Sequence, residues 1–282
     1  MAPRTSDAGI RYNRQSMTAA DPASSSLEDE LLSVADDAAR AAARELMSRF
    51  GHSQAGIRSK SSPTDLVSDA DVSAEGAIRA VLGARRPQDA ILGEEGGATG
   101  GGDLRWVIDP LDGTTNFLFG FPQFAVSVAC EDRDGGLAGV VLDPVRDECF
   151  AATRSGPPTL NGAEIAGSRR RELGSALVAT GFSYDAAERA RQAEVLARVL
   201  PRVRDIRRAG AAALDLAWAA CGRVDAFYER GVKAWDVAAG SLVAERAGLL
   251  VRPLAARDGE PSGLAAAPPA LADELLALVL GA

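Results

Sequence analysis

Apolar residues recur every three or four positions in two stretches near the start of the chain. This spacing predicts one helix over residues 27–50 and a second from Ser68 or Asp69 to about Leu82. Short apolar runs further along predict strands at residues 89–92, 106–108, 124–130, 139–142 and 148–153. A proline cannot donate a hydrogen bond to a sheet, so Pro110 is expected to end the second of these strands at Asp109.

Beyond a hairpin expected at residues 159–167, strands and helices alternate. The expected strands are 176–180, 203–206, 224–228, 249–251 and 264–266, and the expected helices are 185–200, 211–221, 237–247 and 268–280. This order predicts an α+β half over residues 27–167 and an α/β half over residues 168–282. Residues 1–26 lack a hydrophobic run and are rich in Ser, Ala, Asp and Arg, so they are expected to form a disordered tail.

Composition narrows the possible functions. The net charge of -8 argues against direct binding of nucleic acid or an anionic membrane surface, and no apolar run reaches the length of a membrane span. The three cysteines, Cys130, Cys149 and Cys221, show no paired spacing, which indicates core residues in a reducing cytoplasm. Since His52 is the single histidine and lies in a Gly-His-Ser loop, acid–base chemistry is expected to rest on carboxylates and a metal ion.

The stretch from Trp106 to Pro122 carries the most specific chemistry. Asp109 and Asp112 lie three residues apart, directly before Gly113. Two carboxylates on one turn are costly unless they are neutralised, and a divalent cation with oxygen ligands would do this. The alternative is an ordinary Asp-Gly turn.

Three further acidic clusters fall at the edges of predicted elements. They are the segment from Lys60 to Asp71, the pair Glu94–Glu95 before a glycine-rich loop, and Asp236 at a helix start. Each has a simpler explanation, because Asp71 and Asp236 can act as first-turn or capping acids and the Glu pair can be an exposed loop. Asp215 and Asp225 are assigned that simpler role.

Taken together, these segments resemble the inositol monophosphatase family of Mg²⁺-dependent, lithium-sensitive phosphatases. The resemblance runs from about Leu27 to the C-terminus. It is carried by residues 106–117, 235–248, 93–95 and 60–67, in that family's order. It implies a layered αβαβα sandwich of the sugar-phosphatase type, composed of the α+β and α/β halves. It also implies a homodimer.

The resemblance assigns roles to residues at the matching positions. Glu94, Asp109 and the carbonyl of Leu111 would hold a first Mg²⁺, and Asp109 would bridge to a second ion held with Asp112 and Asp236. A third, weaker ion would lie near Glu94. The attacking water would be oriented by Thr114 and Asp71, the phosphate received by the backbone of Gly113 and Thr114, and support supplied by Lys60 and Asp65.

The resemblance also indicates a substrate. Ring hydroxyls would meet residues 207–213, including Gly210 and Ala212, together with Thr115, Asp112, Glu229 and Asp236. Hydrolysis of myo-inositol 1-phosphate is expected. Fructose 1,6-bisphosphate, NADP or histidinol phosphate as substrate, or an RNA-associated regulatory role, are the alternatives. Two residues depart from the family pattern: Phe119 stands where many members have His, and Ala211 where many have Thr.

Overall fold

A computed structural model describes residues 22–52, 57–59, 66–257 and 259–281. Its helices are α1 (Pro22–Met47), α2 (Asp69–Arg85), α3 (Thr114–Leu118), α4 (Ala186–Val199), α5 (Ala212–Ala220), α6 (Ala234–Arg246) and α7 (Pro269–Leu280). Short 3₁₀ turns cover Leu173–Ser175 and Leu200–Arg202. None of the helices in these residues is both long and apolar enough to span a membrane.

The strands of the first half are β1 (Arg58–Ser59), β2 (Leu66–Val67), β3 (Ala90–Gly93), β4 (Gly97–Thr99), β5 (Arg105–Asp112), β6 (Ala125–Asp132), β7 (Gly135–Asp143), β8 (Glu148–Thr153), β9 (Thr159–Leu160) and β10 (Ala163–Glu164). Those of the second half are β11 (Leu177–Thr180), β12 (Asp205–Arg207), β13 (Ala226–Arg230), β14 (Leu250–Leu254) and β15 (Gly263–Ala267). Most predicted elements are therefore present, with ends shifted by a few residues. The glycine-rich loop that was expected after Glu95 contains β4.

Two mixed sheets organise the chain. The first has the order β10-β9-β8-β7-β6-β5-β3-β4 and is antiparallel except where β3 runs parallel to β5. The second has the order β12-β11-β13-β15-β14. In it, β11 runs parallel to both β12 and β13.

Helices cover both faces of each sheet. Helices α1 and α2 pack on one face of the first sheet, α5 and α6 fill the space between the sheets, and α4 and α7 cover the far face of the second sheet. Each interface holds its own buried apolar cluster. The result is the expected αβαβα sandwich.

Helix α1 begins at Pro22, five residues before the predicted start. Residues 22–26, which were assigned to a disordered tail, are therefore helical. A proline is tolerated in the first turn of a helix because the backbone N–H groups there have no partner within the helix. The rest of the predicted tail, residues 1–21, lies outside the described residues.

The predicted end of the central strand is wrong. Strand β5 continues through Pro110 to Asp112. Its pairing with β6 shifts between Asp109, opposite Ser127, and Asp112, opposite Ala125, so one extra residue is accommodated on β5. Such a β-bulge interrupts the ladder locally, and a proline is tolerated there. The bulge places both aspartates on the strand itself.

Candidate active site

The bulged end of β5 leads directly into α3. The backbone N–H of Leu111 donates to Asp109 Oδ1 at 2.9 Å, which fixes the Asp109 side chain. Gly113 then turns the chain with a φ of 95°. A Cβ at that position would lie 3.0 Å from the carbonyl oxygen of Gln123 and 3.2 Å from that of Gly210, so the turn requires glycine for both conformation and space.

Thr114 and Asp71 meet in the buried interior of the site. Thr114 Oγ1 lies 3.0 Å from Asp71 Oδ1 and 3.1 Å from the carbonyl oxygen of Leu111. The other Asp71 oxygen accepts hydrogen bonds from Ser68 N, at 2.8 Å, and from Ser68 Oγ, at 2.7 Å. Asp71 therefore caps α2 with one oxygen, as the simpler explanation proposed, and contacts Thr114 with the other.

Three acids around the end of β5 have raised pKa values, and the charge of Glu94 contributes to each rise. Burial, followed by the charges of Glu94, Asp112 and Asp236, raises the pKa of Asp109 well above its usual range. Burial and then Asp236 do the same to the pKa of Asp112. Burial and Glu94 raise the pKa of Asp236 to about 7. Carboxyl groups that oppose one another's ionisation in this way need protons or a cation.

The donor set fits Mg²⁺, because it contains only oxygen atoms. In the described part of the chain no group of three or more His, Cys, Asp and Glu side chains is arranged to hold a metal ion as it stands. Two more of the four acids, besides Asp109, are oriented by backbone donors. Asp112 Oδ2 accepts from Ala213 N, and Asp236 Oδ2 accepts from Lys233 N, both at 2.7 Å.

Glu94 lies on a tight loop between β3 and β4, and a neighbouring acid holds that loop. Glu75 on α2 is buried, and its two carboxylate oxygens accept from Glu95 N and Gly96 N, both at 2.8 Å. Arg79 binds Glu75 at 2.7 Å. Sequence reasoning did not single out Glu75. The one available signal was its place on the buried face of α2, one turn after Asp71.

Asp112 also supports the substrate side of the site. Its acceptance from Ala213 N satisfies a donor in the first turn of α5. The residue that begins this helix, Ala211, provides no side-chain cap. The side-chain acceptor for the first turn of α5 therefore comes from an acid 101 positions away in sequence.

The segment before α5 is tied to α3. Asn116 Nδ2 donates to the carbonyls of Gln123, at 2.7 Å, and Ala209, at 2.9 Å. This brings Gly210 beside the start of α3, and Ala212 opens α5. Thr115 Oγ1 lies 3.4 Å from the hydroxyl of Tyr184.

Glu229 is the second-last residue of β13 and is partly buried. Burial, with a contribution from Asp236, raises the pKa of Glu229 to about 8, while Arg208 opposes the rise. A side chain at Gly181 would overlap the Glu229 carboxylate. The space around Glu229 therefore depends on that glycine.

Asp215 differs from the simple first-turn acid that was predicted. It does lie in the first turn of α5, but it is 1% exposed and neither carboxylate oxygen has a hydrogen-bond partner among the described residues. Burial and then Glu229 and Asp112 raise its pKa well above the usual range, and Arg208 opposes this. Asp225 has a structural role instead, since it accepts from Leu177 N and pairs with Arg170.

Two predicted supporting residues, Lys60 and Asp65, lie outside the described residues. Phe119 follows α3 and is 79% exposed, so its side chain points to solvent in this chain. His52 is exposed, as expected of a loop residue. All three cysteines are free thiols, and Cys130 and Cys149 are buried, as expected.

Residues 27–280 match the profile of the inositol monophosphatase family. The chain belongs to this family. Inositol-1-monophosphatase SuhB of Mycobacterium tuberculosis H37Rv is 44% identical over 273 residues, which span 88% of this chain and 92% of that protein. Nus factor SuhB of Pseudomonas aeruginosa is 48% identical over 198 residues, 66% of this chain and 72% of that protein.

Solved structures show the same fold. The extragenic suppressor protein suhB of Bartonella henselae superposes with a TM-score of 0.82 at 36% identity, covering 88% of this chain and 98% of that one. Members of the inositol monophosphatase family depend on Mg²⁺. The family and the fold expected from the sequence are thus confirmed.

Proposed function

We propose that this chain hydrolyses myo-inositol 1-phosphate to myo-inositol and phosphate, with Mg²⁺ as cofactor. The observation that carries the proposal is the group of four acids at the end of β5, next to the buried Thr114–Asp71 contact. The name of the M. tuberculosis relative supports the substrate. Phosphate monoesters hydrolyse extremely slowly without a catalyst, and a site for a dianion in an acidic chain needs bound cations.

Two or three Mg²⁺ ions would be held by the residues already named. Glu94, Asp109 and the Leu111 carbonyl suit the first ion, and Asp109, Asp112 and Asp236 suit the second, with a third near Glu94. Bound Mg²⁺ would neutralise the phosphate and lower the pKa of the attacking water. Asp109 belongs to both sets, and the charges of the other three acids each contribute to the rise in its pKa.

Thr114 and Asp71 would orient the attacking water. When the Thr114 hydroxyl donates to Asp71 Oδ1, the lone pairs of Thr114 Oγ1 are left to accept a proton from water. Asp71 is held in place by Ser68, so the pair is preorganised. The backbone N–H groups of Gly113 and Thr114 would receive the phosphate.

Hydroxyl groups of the substrate would be bound on the opposite side. Glu229, Asp112 and Asp236 supply carboxylate acceptors for them. Thr115, Gly210 and Ala212 would line the same space, since Asn116 ties the segment before α5 to α3. A substrate with several hydroxyls is favoured by this arrangement over a simple aryl phosphate.

A regulatory role is the second candidate. The name of the P. aeruginosa relative, a Nus factor, favours this role. The acidic composition of this chain does not favour it. The proposal also includes lithium sensitivity and a homodimer. It includes a cytoplasmic location as well, and the three free thiols support that location.

A phosphate-release screen tests the proposed function. The purified protein is given myo-inositol 1-phosphate, fructose 1,6-bisphosphate, NADP, histidinol phosphate and an aryl phosphate, each with Mg²⁺ and with a chelator. We expect the highest kcat/KM for inositol phosphate and no turnover without Mg²⁺. A flat profile near background with Mg²⁺ present would overturn the assignment as a phosphatase.

A further inference from the structure

A basic cavity lies away from the acidic site, at the amino ends of the parallel strands β11 and β13. Its volume is about 440 Å³. It is lined by Leu177, Gly222, Asp205, Asp225 and four arginines, which are Arg170, Arg204, Arg207 and Arg223. We propose that this cavity, here named the arginine cavity, binds a small polyanion that carries a chain of two or three phosphate groups, free or as part of a nucleotide.

The distribution of charge is the first evidence that the arginine cavity binds an anion. The chain as a whole has a net charge of -8, yet four guanidinium groups from three separate segments line this one cavity. Arg204 has no hydrogen bond or ion pair through its side chain among the described residues. Arg207 pairs with Asp205 at 2.7 Å, but both side chains are 52% exposed, and exposed pairs of this kind contribute little. A phosphate can therefore compete for both arginines.

The other two arginines are held in fixed orientations. Arg223 makes two hydrogen bonds to Glu148, at 2.7 and 2.8 Å, and its guanidinium lies 5.1 Å from the centre of the Trp218 ring. Arg170 pairs with Asp225 at 3.0 Å. Fixed guanidinium groups lose less entropy when they bind an anion, and they retain donors that are not used by the acid.

Volume and shape decide the class of ligand. A cavity of about 440 Å³ is within the range of small-molecule sites and several times the size of one phosphate group. Guanidinium groups recognise phosphate through paired hydrogen bonds. A linear chain of phosphates can reach arginines on more than one wall, whereas an extended nucleic-acid backbone is better suited to an open basic surface than to a concave one.

The arginine cavity is joined to the active site by one short strand. Strand β12 follows Arg204 and ends at Arg207, and the chain then reaches Ala209, whose carbonyl accepts from Asn116 of α3. A ligand bound across Arg204 and Arg207 would hold this edge strand in place. The inference itself concerns binding and is independent of the proposed hydrolysis.

The test measures tripolyphosphate binding by calorimetry in the metal-free protein with excess chelator. Without cations the acidic cluster repels anions, so the active site contributes no binding. We expect saturable one-to-one binding that weakens about tenfold in Arg204→Glu. Arg133→Glu is the matched control, because Arg133 is also exposed, has one 3.6 Å ion pair and lies in the turn between β6 and β7.

Each outcome decides the inference. Binding of tripolyphosphate and ATP with similar affinity, weakened about tenfold in Arg204→Glu and kept in Arg133→Glu, supports recognition of the phosphate chain. Binding of ATP alone supports the nucleotide form. No binding to the wild type, or equal loss in both variants, overturns the inference. Tighter binding of an RNA oligonucleotide through Arg204 also overturns it. Phosphate release with Mg²⁺, measured on the same samples, shows separately whether the enzyme is intact.

Discussion

At the scale of single residues, three acids have two roles each. Asp71, Asp112 and Asp236 each use one oxygen to accept a backbone N–H at the start of α2, α5 and α6, respectively. The positive ends of three helix dipoles are therefore directed at these three acids, which lowers the cost of keeping negative charge on them. Asp71 and Asp236 can therefore be capping acids and also serve in the proposed active site.

Asp109→Asn is expected to abolish hydrolysis and leave the fold intact. Because the substitution removes one of several mutually repelling acids, the metal-free protein should unfold at a higher temperature than the wild type. The rise in Tm on adding Mg²⁺ should shrink. Thermal unfolding and phosphate release check this, with the exposed Asp103→Asn as control. Near-normal turnover of Asp109→Asn would contradict the metal assignment.

Glu229→Ala should lower kcat/KM for inositol phosphate more than for an aryl phosphate, because only the former has ring hydroxyls to lose a partner. Gly181→Ala should have a similar effect, since its new Cβ would overlap the Glu229 carboxylate and displace it. Parallel kinetics on the two substrates measure the selectivity. Equal losses on both substrates in both variants would remove Glu229 from substrate recognition.

Asp215→Asn should stabilise the metal-free protein at neutral pH by about 1 kcal/mol, because an uncharged amide replaces a carboxyl whose charged form burial disfavours. The pKa of Asp215 is raised in the folded state, so its destabilising effect sets in as the pH rises above the ordinary aspartate range. The variant should therefore lose less stability than the wild type between acidic and neutral pH. Denaturant unfolding at several pH values measures this, and an unchanged pH dependence would show that the fold already accommodates the charge.

At the scale of elements, the loop that carries Glu94 depends on α2. Glu75 closes this loop by accepting two of its backbone N–H groups, and Gly93 and Gly96 leave room for the Glu75 carboxylate, which a Cβ at either position would meet within 2.8 Å. The bulge at Pro110 also positions acids, because it places Asp109 and Asp112 at the same end of β5.

Glu75→Gln should raise the Mg²⁺ concentration needed for half-maximal activity by about tenfold, the lower end of the range for groups that orient metal ligands. Glu75 now accepts hydrogen bonds from two backbone N–H groups. The amide nitrogen of the new side chain is itself a donor, so one of these N–H groups would lose its acceptor. Titration of activity with Mg²⁺ measures the effect. Asp69→Asn is the control, because Asp69 is exposed on the same helix. Identical titration curves for Glu75→Gln and the wild type would show that the loop holds its shape without this acid.

At the scale of the whole molecule, an aromatic surface lies beside the active site. Phe119 is 79% exposed and Phe121 is 55% exposed, immediately after α3. Large apolar side chains grouped on a surface are typical of contacts between subunits. We propose that this surface is the interface of the proposed homodimer.

Replacing both Phe119 and Phe121 with Glu should convert a dimer into a monomer, as measured by light scattering after size exclusion. The buried apolar area would be lost and two pairs of like charges would face each other across the interface. Leu200→Glu is the control, because Leu200 is also an exposed apolar residue, at 48%, on another surface. A dimer that persists in the double variant would place the interface elsewhere.

Much of the architecture follows from local pattern. The periods of apolar positions located most helices and strands to within a few residues, since these periods reflect which side of an element is buried. The acids at the end of β5 were identified because two carboxylates on a strand end are rarely left without compensation. Their grouping with Glu94 and Asp236 was predicted from the family resemblance, and the pKa shifts agree with it.

Only the tertiary structure decided the remaining features, because they depend on contacts between residues far apart in the chain. Glu75 reaches a loop 20 residues away, and Asp112 caps a helix 101 residues away. The burial of Asp215 and the four-arginine cavity also arise where separate segments pack together. A sequence pattern determines which side chains can be acidic ligands or core residues. Packing determines which of them meet, which backbone donors they find and which are left without a partner.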